Sequence, residues 1–343
     1  MKLSQSSVSV ALAILLAATV ILIGRLLTPS TPPQSQSRLT ALTPGAQLAV
    51  VRNPTRDKAE ISIVTVDSNG FIRQSTQQRL YFQTPLTRIE LANNGTMLMH
   101  ESVPGNPTAT VRSVYDYSTQ LDLSNCQFTA LSPDGQTIAC VSGTEAAVSP
   151  TARLGWTSLP VSSGGRFGAP RLFNETVVVP HALEDGTIEL VIFSHPTNVT
   201  LATLDPDTHY VFNRAGTKAV ALDGETLRML NFFSDCGSAN YALPAELAEY
   251  RVRPVVLSDR ADQVLLYTEP STGGAAQMVV WQLATNDLTW LSAVEATGHA
   301  AGDFHPDGTM VAFTIGQNIY IASLTDGRAY WMGRGLNPVW IIR

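Results

Sequence analysis

A tight turn followed by an apolar strand recurs along the chain and strongly limits how it can fold. Residues 130–139 read ALSPDGQTIA, and residues 303–312, roughly 170 residues later, read DFHPDGTMVA. In such a turn proline presets φ, aspartate accepts local backbone hydrogen bonds, and glycine takes up a positive φ. The two stretches therefore predict β-hairpins in which apolar residues on either side of the turn meet in a core.

Weaker copies of the motif complete a series. The seven copies are LTPGAQLAVV from Leu42, LANNGTMLMH from Leu91, LSPDGQTIAC from Leu131, FNETVVVP from Phe173, FNRAGTKAVAL from Phe212, LSDRADQVLLY from Leu257 and FHPDGTMVAF from Phe304. Neighbouring copies stand about 40 to 50 residues apart, which is the spacing of four-stranded propeller blades. The series predicts an all-β chain whose residues 38–343 form a seven-bladed β-propeller of four-stranded blades.

The repeat also assigns roles to several conspicuous residues. LATNDLTWL from Leu283 aligns without a gap on LTDGRAYWM from Leu324, so Trp290 and Trp331 occupy one position in the repeat. We expect both tryptophans to pack between blades rather than to form a binding platform. Turn chemistry accounts for the two aspartates more simply than metal binding or catalysis does. The expected structural turn residues are Pro133, Asp134, Gly135, Pro306, Asp307 and Gly308.

The SPDG and HPDG turns, each followed by an apolar strand, and the later pattern NIYIASLTDG resemble the WD40-like PD40 repeats of TolB-type β-propellers. The resemblance covers residues about 38 to 343 and is strongest at Leu131 and Phe304. The chain lacks the GH and WD dipeptides of WD40 blades, and it lacks the domain that precedes the propeller in TolB. The resemblance implies a propeller fold.

The two ends of the repeat region suggest how the ring closes. Residues 335–343, GLNPVWIIR, look like the innermost strand of a blade, whereas the first unit has only RLTAL before Thr43. We expect the C-terminal segment to pair into the first blade or beside it, because this removes an exposed sheet edge.

The N-terminus carries a membrane signal. Residues 8–24, VSVALAILLAATVILIG, are almost wholly apolar, and they approach the roughly 20 residues that span a bilayer. No A-x-A cleavage pattern follows, which favours an uncleaved anchor over a cleaved signal peptide. The expected organisation is a transmembrane helix over residues 1–27, a Pro/Ser/Gln-rich linker over 28–37 and an exported propeller, periplasmic or extracellular.

Composition and motifs argue against several functions. The chain has 22 basic and 28 acidic residues and no Lys/Arg block, which argues against nucleic acid as a partner. Zinc-ligand spacings, a G-x-S-x-G elbow and phosphate loops are absent from the sequence, so we expect no catalytic residue, metal or cofactor. Cys126 and Cys140 flank the SPDG turn and form either a disulfide or two buried thiols, and a disulfide would leave Cys236 free.

These observations favour a non-enzymatic, membrane-anchored propeller that serves as a protein interaction scaffold or as an accessory subunit of a membrane or envelope complex. Residues 143–155 and 232–250 are the expected recognition loops, and LPAELAEY within the second predicts a helical turn. The alternative is an enzyme, or a receptor for a small glycan or peptide, that uses the central channel. A channel with clustered ionisable groups would favour the alternative, whereas a filled or featureless channel with an apolar patch on the rim would favour the scaffold.

Overall fold

The chain divides between Ser37 and Arg38 into two units. The computed structural model describes only residues of the second unit, namely 45–52, 58–66, 72–81, 86–92, 95–101, 108–113, 119–124, 126–143, 145–152, 154–159, 165–173, 176–194, 197–232, 238–295 and 298–341. Within these ranges no helix combines the length and the apolar character needed to cross a bilayer. The predicted anchor and linker lie outside the described residues.

The described secondary structure is all-β apart from one 3-10 turn, Ala245–Leu247, which lies in the segment where a helical turn is expected. The first strands are β1 (Gln47–Arg52), β2 (Lys58–Val66), β3 (Ile72–Tyr81), β4 (Leu86–Leu91), β5 (Thr96–Glu101), β6 (Thr108–Ser113), β7 (Thr119–Ser124), β8 (Phe128–Leu131), β9 (Thr137–Ser142), β10 (Glu145–Pro150), β11 (Thr157–Ser158), β12 (Arg166–Phe167), β13 (Arg171–Phe173) and β14 (Thr176–Ala182). They continue as β15 (Ile188–Ser194), β16 (Thr197–Leu204), β17 (His209–Phe212), β18 (Lys218–Asp223), β19 (Thr226–Asn231), β20 (Ala239–Ala242), β21 (Tyr250–Leu257), β22 (Gln263–Pro270), β23 (Ala276–Gln282), β24 (Asp287–Glu295), β25 (Ala300–Phe304), β26 (Met310–Ile315), β27 (Asn318–Ser323) and β28 (Ala329–Ile341).

Consecutive strands pair antiparallel into small sheets. Strands β4 to β7, β8 to β11, β17 to β20 and β21 to β24 each form a four-stranded sheet in chain order. Strands β12 to β16 form a fifth sheet, in which both β12 and β13 pair with β14. The remaining strands form one sheet in the order β25-β26-β27-β28-β1-β2-β3.

The long strand β28 joins the two ends of the described chain. Its first half pairs with β27, from Ala329 opposite Ala322 to Arg334 opposite Asn318. Its second half pairs with β1, so that Ile341 lies opposite Gln47. We expected the C-terminal segment to pair with the first repeat of the propeller. The pairing of β28 with β1 confirms this for residues 335–341.

Gly335 lies where β28 passes from one partner to the other. A Cβ atom at this position would stand 2.2 Å from the carbonyl oxygen of Val51 and 2.5 Å from a methyl group of Ile319. Only glycine lets β28 approach both neighbouring strands here, because any side chain would meet the backbone of β1.

The apolar core lies between neighbouring sheets. Val280 and Phe313, for example, are fully buried in a cluster shared by the β21–β24 sheet and the strands β25 to β28. Trp331 packs on that cluster, and Trp290 packs on the preceding one, which the β17–β20 and β21–β24 sheets share. The two tryptophans thus contact equivalent inter-sheet clusters, and their registers also match, since Trp290 pairs with Val279 and Trp331 with Tyr320.

The repeated turn takes the expected form. Gly135 and Gly308 have φ angles of 72° and 74°, and their N–H groups donate to Ser132 and His305 over 2.9 Å each. Residues that carry a Cβ atom rarely adopt such positive φ values, which explains why glycine stands at both positions.

The aspartates of both turns bond locally. Asp134 Oδ1 accepts hydrogen bonds from Ser132 Oγ at 2.6 Å and from the N–H of Gln136 at 3.0 Å. Asp307 Oδ1 accepts from the N–H and the hydroxyl of Thr309 at 2.9 and 2.8 Å. The Ser132 and Gln136 donors lower the pKa of Asp134, as expected for a carboxylate that stabilises a turn.

Candidate functional site

A cavity of about 460 Å³ is lined by residues of strands that come from all six described sheets. We call β4, β8, β13, β17, β21, β25 and the second half of β28 the inner strands. Each of them contributes lining residues, among them Glu90, Leu131, Leu172, Tyr210, Val255, Asp303 and Val339. We call this space the central cavity. It corresponds to the central channel in which the alternative function, an enzyme or a small-ligand receptor, would have its site.

Asp303 of β25 is the most buried carboxylate of the cavity, with 7% of its surface exposed. Its Oδ2 accepts a hydrogen bond from the N–H of Trp340 at 2.7 Å and lies 3.2 Å from Nη1 of Arg214. Arg214 Nη1 also donates to the carbonyl of Trp340 at 2.6 Å. Because Arg214 follows β17, whereas Asp303 and Trp340 belong to β25 and β28 of one sheet, this network ties two sheets together.

Burial controls the charge of this carboxyl group. Desolvation raises the pKa of Asp303 from 3.8 to about 6, against the opposing effects of the Arg214 charge and the Trp340 N–H. A raised pKa can mark a functional group, but structural ion-pair networks produce the same shift. Here the carboxyl group bonds to β28, the strand that pairs with both β27 and β1.

A second charged network also lines the central cavity. Glu90 of β4 accepts a hydrogen bond from the N–H of Leu131 at 3.1 Å, and its other carboxylate oxygen lies 3.2 Å from Nη1 of Arg171. The Arg171 guanidinium stands 5.8 Å from the ring centre of Phe212. These contacts link the inner strands β4, β8, β13 and β17.

The ionisable groups of the central cavity therefore cluster, but they cluster as cross-sheet pairs. Glu90 pairs with Arg171, and Asp303 with Arg214, and both carboxylates also accept a backbone N–H. A general acid or base needs a group that can reach a substrate proton, whereas these four groups bond to neighbouring inner strands. The geometry assigns them to holding the inner strands in place.

A groove on the β8–β11 sheet has a different chemistry. It measures about 360 Å³ and is lined mainly by small and apolar residues, with Glu145 as a charged residue at its side. Leu154 and Trp156 border it and remain 38% and 41% exposed. We call this surface the Trp156 groove. Large apolar side chains that remain exposed beside a concave surface are typical of interaction sites.

The disulfide between Cys126 and Cys140 forms part of the wall of this groove. The two cysteines are not opposite each other in the β8–β9 ladder. Cys140 on β9 lies opposite Thr129, and Cys126 stands before the first residue of β8. The bond therefore ties the connection after β7 to the second strand of the next sheet.

The two predicted recognition loops are in part strands. Residues 145–150 form β10, which pairs with β9 along its whole length, so the loop interpretation of 143–155 was wrong for this part. Residues 239–242 form β20, and the stretch beyond it contains the 3-10 turn. Trp156 lies just outside the first predicted loop. Cys236, with the rest of residues 233–237, lies outside the described residues.

Metal chemistry finds no support in the part of the chain that is described, where no group of three or more His, Cys, Asp or Glu side chains could hold an ion. His181 is buried near Glu189, with 3.6 Å between Nδ1 and Oε2. His305 Nδ1 lies 2.8 Å from Oδ1 of Asp307 within its own turn. These histidines have local structural partners.

Sequence reasoning missed the four charges of the central cavity and Trp156. Glu90 and Asp303 each stand one residue before the apolar residue that opens a turn motif, at Leu91 and Phe304. This recurrent position, at the end of an inner strand, is the signal that could have found them. Nothing local marks Arg171 or Arg214 as their partners.

No family model and no curated protein sequence matches the chain. A solved protein from Lactobacillus plantarum is 12% identical, covers 87% of this chain and 99% of its own, and superposes with a TM-score of 0.57. An oligogalacturonate lyase in complex with manganese is 9% identical over 85% and 86% of the two chains, with a TM-score of 0.57. The β-propeller domain of Myceliophteria thermophila Cps50 (Swd1) is 11% identical over 88% and 98%, with a TM-score of 0.53.

Identities this low carry information about the fold alone. An enzyme and a Swd1 domain share the architecture, so the fold leaves open whether this chain is a catalyst or a scaffold. The small sheets, the converging inner strands and these similarities together identify the fold as a β-propeller.

Proposed function

We propose that this chain is a non-enzymatic, seven-bladed β-propeller of the PD40 type, anchored to a membrane by residues 8–24, that binds a protein partner through the Trp156 groove. The exposure of Leu154 and Trp156 beside that groove is the observation that carries the proposal. Propeller faces and rims commonly serve as interaction surfaces because the sheets hold them rigid.

The sharing of β28 between two sets of strands supports a count of seven blades. If its first half is the outer strand of the last blade and its second half the inner strand of the first, the seven-stranded sheet becomes two blades of four. With the five other sheets this makes seven. Contacts between β28 and β4, β4 and β8, β17 and β21, and β21 and β25 support a ring in chain order.

The non-enzymatic reading rests on the central cavity. Its four charges form two ion pairs that also bond to backbone groups of other inner strands. Removal of Arg171 or Arg214 would take the ion-pair partner from a carboxylate whose side chain is only 14% or 10% exposed, which is unfavourable. This favours a structural use of the cavity over a catalytic one.

The partner segment should be apolar with a basic residue. The groove walls are Leu123, Ala146 and the disulfide, and Trp156 offers a large amphipathic ring of the kind enriched in binding hot spots. Glu145 is exposed at the groove, so a lysine or arginine of the partner would find an opposite charge there.

Export agrees with the chemistry of the cysteines. Disulfides persist in oxidising compartments and are rare in the cytosol. A disulfide between Cys126 and Cys140 would suit a domain that the apolar residues 8–24 hold on the outer side of a membrane. A scaffold in the cell envelope, or an accessory subunit of a membrane complex, fits this location.

Photo-crosslinking in the producing cell tests the proposal. The full-length chain carries benzoylphenylalanine at position 156, or at the exposed Thr226 as a matched control, and the adducts are identified by mass spectrometry. We expect one protein adduct at 156 that is absent at 226. The purified partner should then bind the full-length protein at least tenfold more weakly when Trp156→Ala is present. Equal adducts at both positions, or binding unaffected by Trp156→Ala, would contradict the proposal.

A further inference from the structure

A third cavity, of about 300 Å³, lies where β17 and β21 begin and just before β25. Its polar lining consists of His209, Arg251, Arg253, Tyr267, Glu269 and the backbone of Gly298. We call it the Arg253 pocket. It is separate from the central cavity and from the Trp156 groove, and its chemistry is cationic.

The guanidinium of Arg253 is held in place by two contacts. Arg253 is paired with Tyr267 in the β21–β22 ladder, and its guanidinium carbon stands 4.3 Å from the centre of the Tyr267 ring. Its Nη2 donates a hydrogen bond to the carbonyl of Gly298 at 2.9 Å. Cation–π contact and hydrogen bond together fix the plane of the guanidinium, so its remaining N–H groups point in defined directions.

The fixed guanidinium keeps an unused donor. Nε of Arg253 is buried, and no described residue accepts a hydrogen bond from it. A buried polar atom without a partner is costly, and in native proteins it commonly marks a site completed by a ligand, an ion or water.

Tyr267 supplies a second donor. Its hydroxyl oxygen accepts a hydrogen bond from the N–H of Gly298 at 3.3 Å, which leaves the phenolic proton able to donate elsewhere. Arg251 stands two residues before Arg253 on the same strand, and therefore on the same side, and its side chain is exposed. The pocket thus collects several donors on one wall.

The charge of the pocket is opposite to that of the chain. The whole chain has a net charge of −6, whereas Arg251 and Arg253 outnumber Glu269 in the pocket by one positive charge. The field of Arg253 extends to a neighbour: partial burial, and then the Arg253 charge, lower the pKa of His299. An anion is the ligand that meets both the unused donors and the charge.

We propose that the Arg253 pocket binds a carboxylate. Guanidinium N–H groups match the oxygens of a carboxylate, and Nε–H is the donor of Arg253 that has no partner among the described residues. Glu269 lies directly opposite Arg251 in the ladder, and its negative charge leaves the pocket with a net positive charge of one. This charge suits a monoanion better than a phosphate dianion. The proposal does not depend on the Trp156 groove, since no residue lines both surfaces.

Titrations of the full-length protein in detergent, with 15N-labelled arginine, test the proposal through the Nε–H resonance of Arg253. The probes are N-acetylglycine, sodium acetate, N-acetylglycinamide and inorganic phosphate. We expect N-acetylglycine to shift the resonance saturably, the neutral amide to leave it unchanged, and phosphate to bind at least tenfold more weakly. Acetate equal to N-acetylglycine would identify a small free acid as ligand, and preference for N-acetylglycine would identify a chain terminus.

Variants separate recognition from folding. Arg251→Gln should weaken binding of N-acetylglycine at least tenfold, and Glu269→Gln should strengthen it severalfold because it removes a like charge. Arg260→Gln, which removes an exposed arginine outside the pocket, is the matched control and should change nothing. Arg251 is exposed and Glu269 is partly exposed, so these two variants keep the test valid if Arg253→Gln fails to fold. Absence of a saturable shift, phosphate binding as tight as carboxylate, or weaker binding in Glu269→Gln would overturn the proposal.

Discussion

Replacing Asp303 with asparagine should remove a pH dependence from the stability of the propeller. Burial raises the pKa of Asp303 from 3.8 to about 6 in the folded chain. Between these pH values the folded chain keeps a proton that the unfolded chain releases, so stability falls as the pH rises. Each pKa unit corresponds to about 1.36 kcal/mol, and the interval therefore amounts to about 3 kcal/mol.

Urea unfolding of wild type and Asp303→Asn, followed by tryptophan fluorescence at pH 4, 5, 6 and 7, measures this effect. The relevant quantity is the difference in unfolding free energy between wild type and variant, because it cancels the titration of all other groups. We expect this difference to fall by about 2 kcal/mol from pH 4 to pH 7, because at pH 4 this carboxyl group is already partly protonated in the unfolded chain. The loss of the Arg214 partner in the variant shifts the whole curve without changing its slope.

Asp134→Asn provides a contrast of opposite sign. Hydrogen bonds from Ser132 and Gln136 lower the pKa of Asp134, so its contribution to stability should be present at neutral pH and lost as the pH falls through its folded pKa.

A difference between wild type and Asp303→Asn that is constant with pH, or that increases with it, would refute the reasoning. It would show that the Arg214 charge outweighs desolvation.

Further substitutions test the inter-sheet contacts. Trp340→Ala should cost about 3 to 5 kcal/mol of unfolding free energy in urea, because Trp340 is fully buried, and the half-buried Trp331 should cost less when changed to alanine; equal losses would contradict the assignment of Trp340 to the closing contact. Gly335→Ala should lower the melting temperature by several degrees, since its Cβ would stand 2.2 Å from a carbonyl oxygen of β1, and an unchanged value would show that β28 does not approach β1 this closely. The Cys126→Ser/Cys140→Ser double variant should lose about 3 kcal/mol relative to the oxidised protein, given the 14-residue separation, and mass spectrometry without reductant should show the bond in wild type; a bond absent from the oxidised protein would refute this.

The hairpin repeat could be predicted because its information is local. Each turn is encoded within a few residues, such as Pro133 to Gly135, and the apolar strand after it follows directly. The shared position of Trp290 and Trp331 was visible for the same reason, since two adjacent repeats align without a gap. The pairing of residues 335–341 with the first strand could also be predicted, because the C-terminal stretch has the pattern of an inner strand and the first unit lacks one.

The charged pairs of the central cavity could not be predicted in the same way. Glu90 and Arg171 stand 81 residues apart, and Arg214 and Asp303 stand 89 apart. Single charges in separate strands create no periodicity, and only the ring of inner strands brings them together.

The Trp156 groove was missed for another reason. Residues 143–155 are small and polar enough to suggest a loop, yet pairing with β9 makes 145–150 a strand and moves the exposed surface to Leu154 and Trp156.

The closure of the propeller by its last strand can be measured directly with a pair of cysteines at Gln47 and Ile341, which face each other in the β1–β28 ladder. In a Cys236→Ser background, mild oxidation should join the two positions within one chain, and peptide mapping should recover the linked peptide. A control pair at Gln47 and Thr226 should remain reduced. Chains that cross-link only to other chains, or equally through the control pair, would contradict a ring closed by β28.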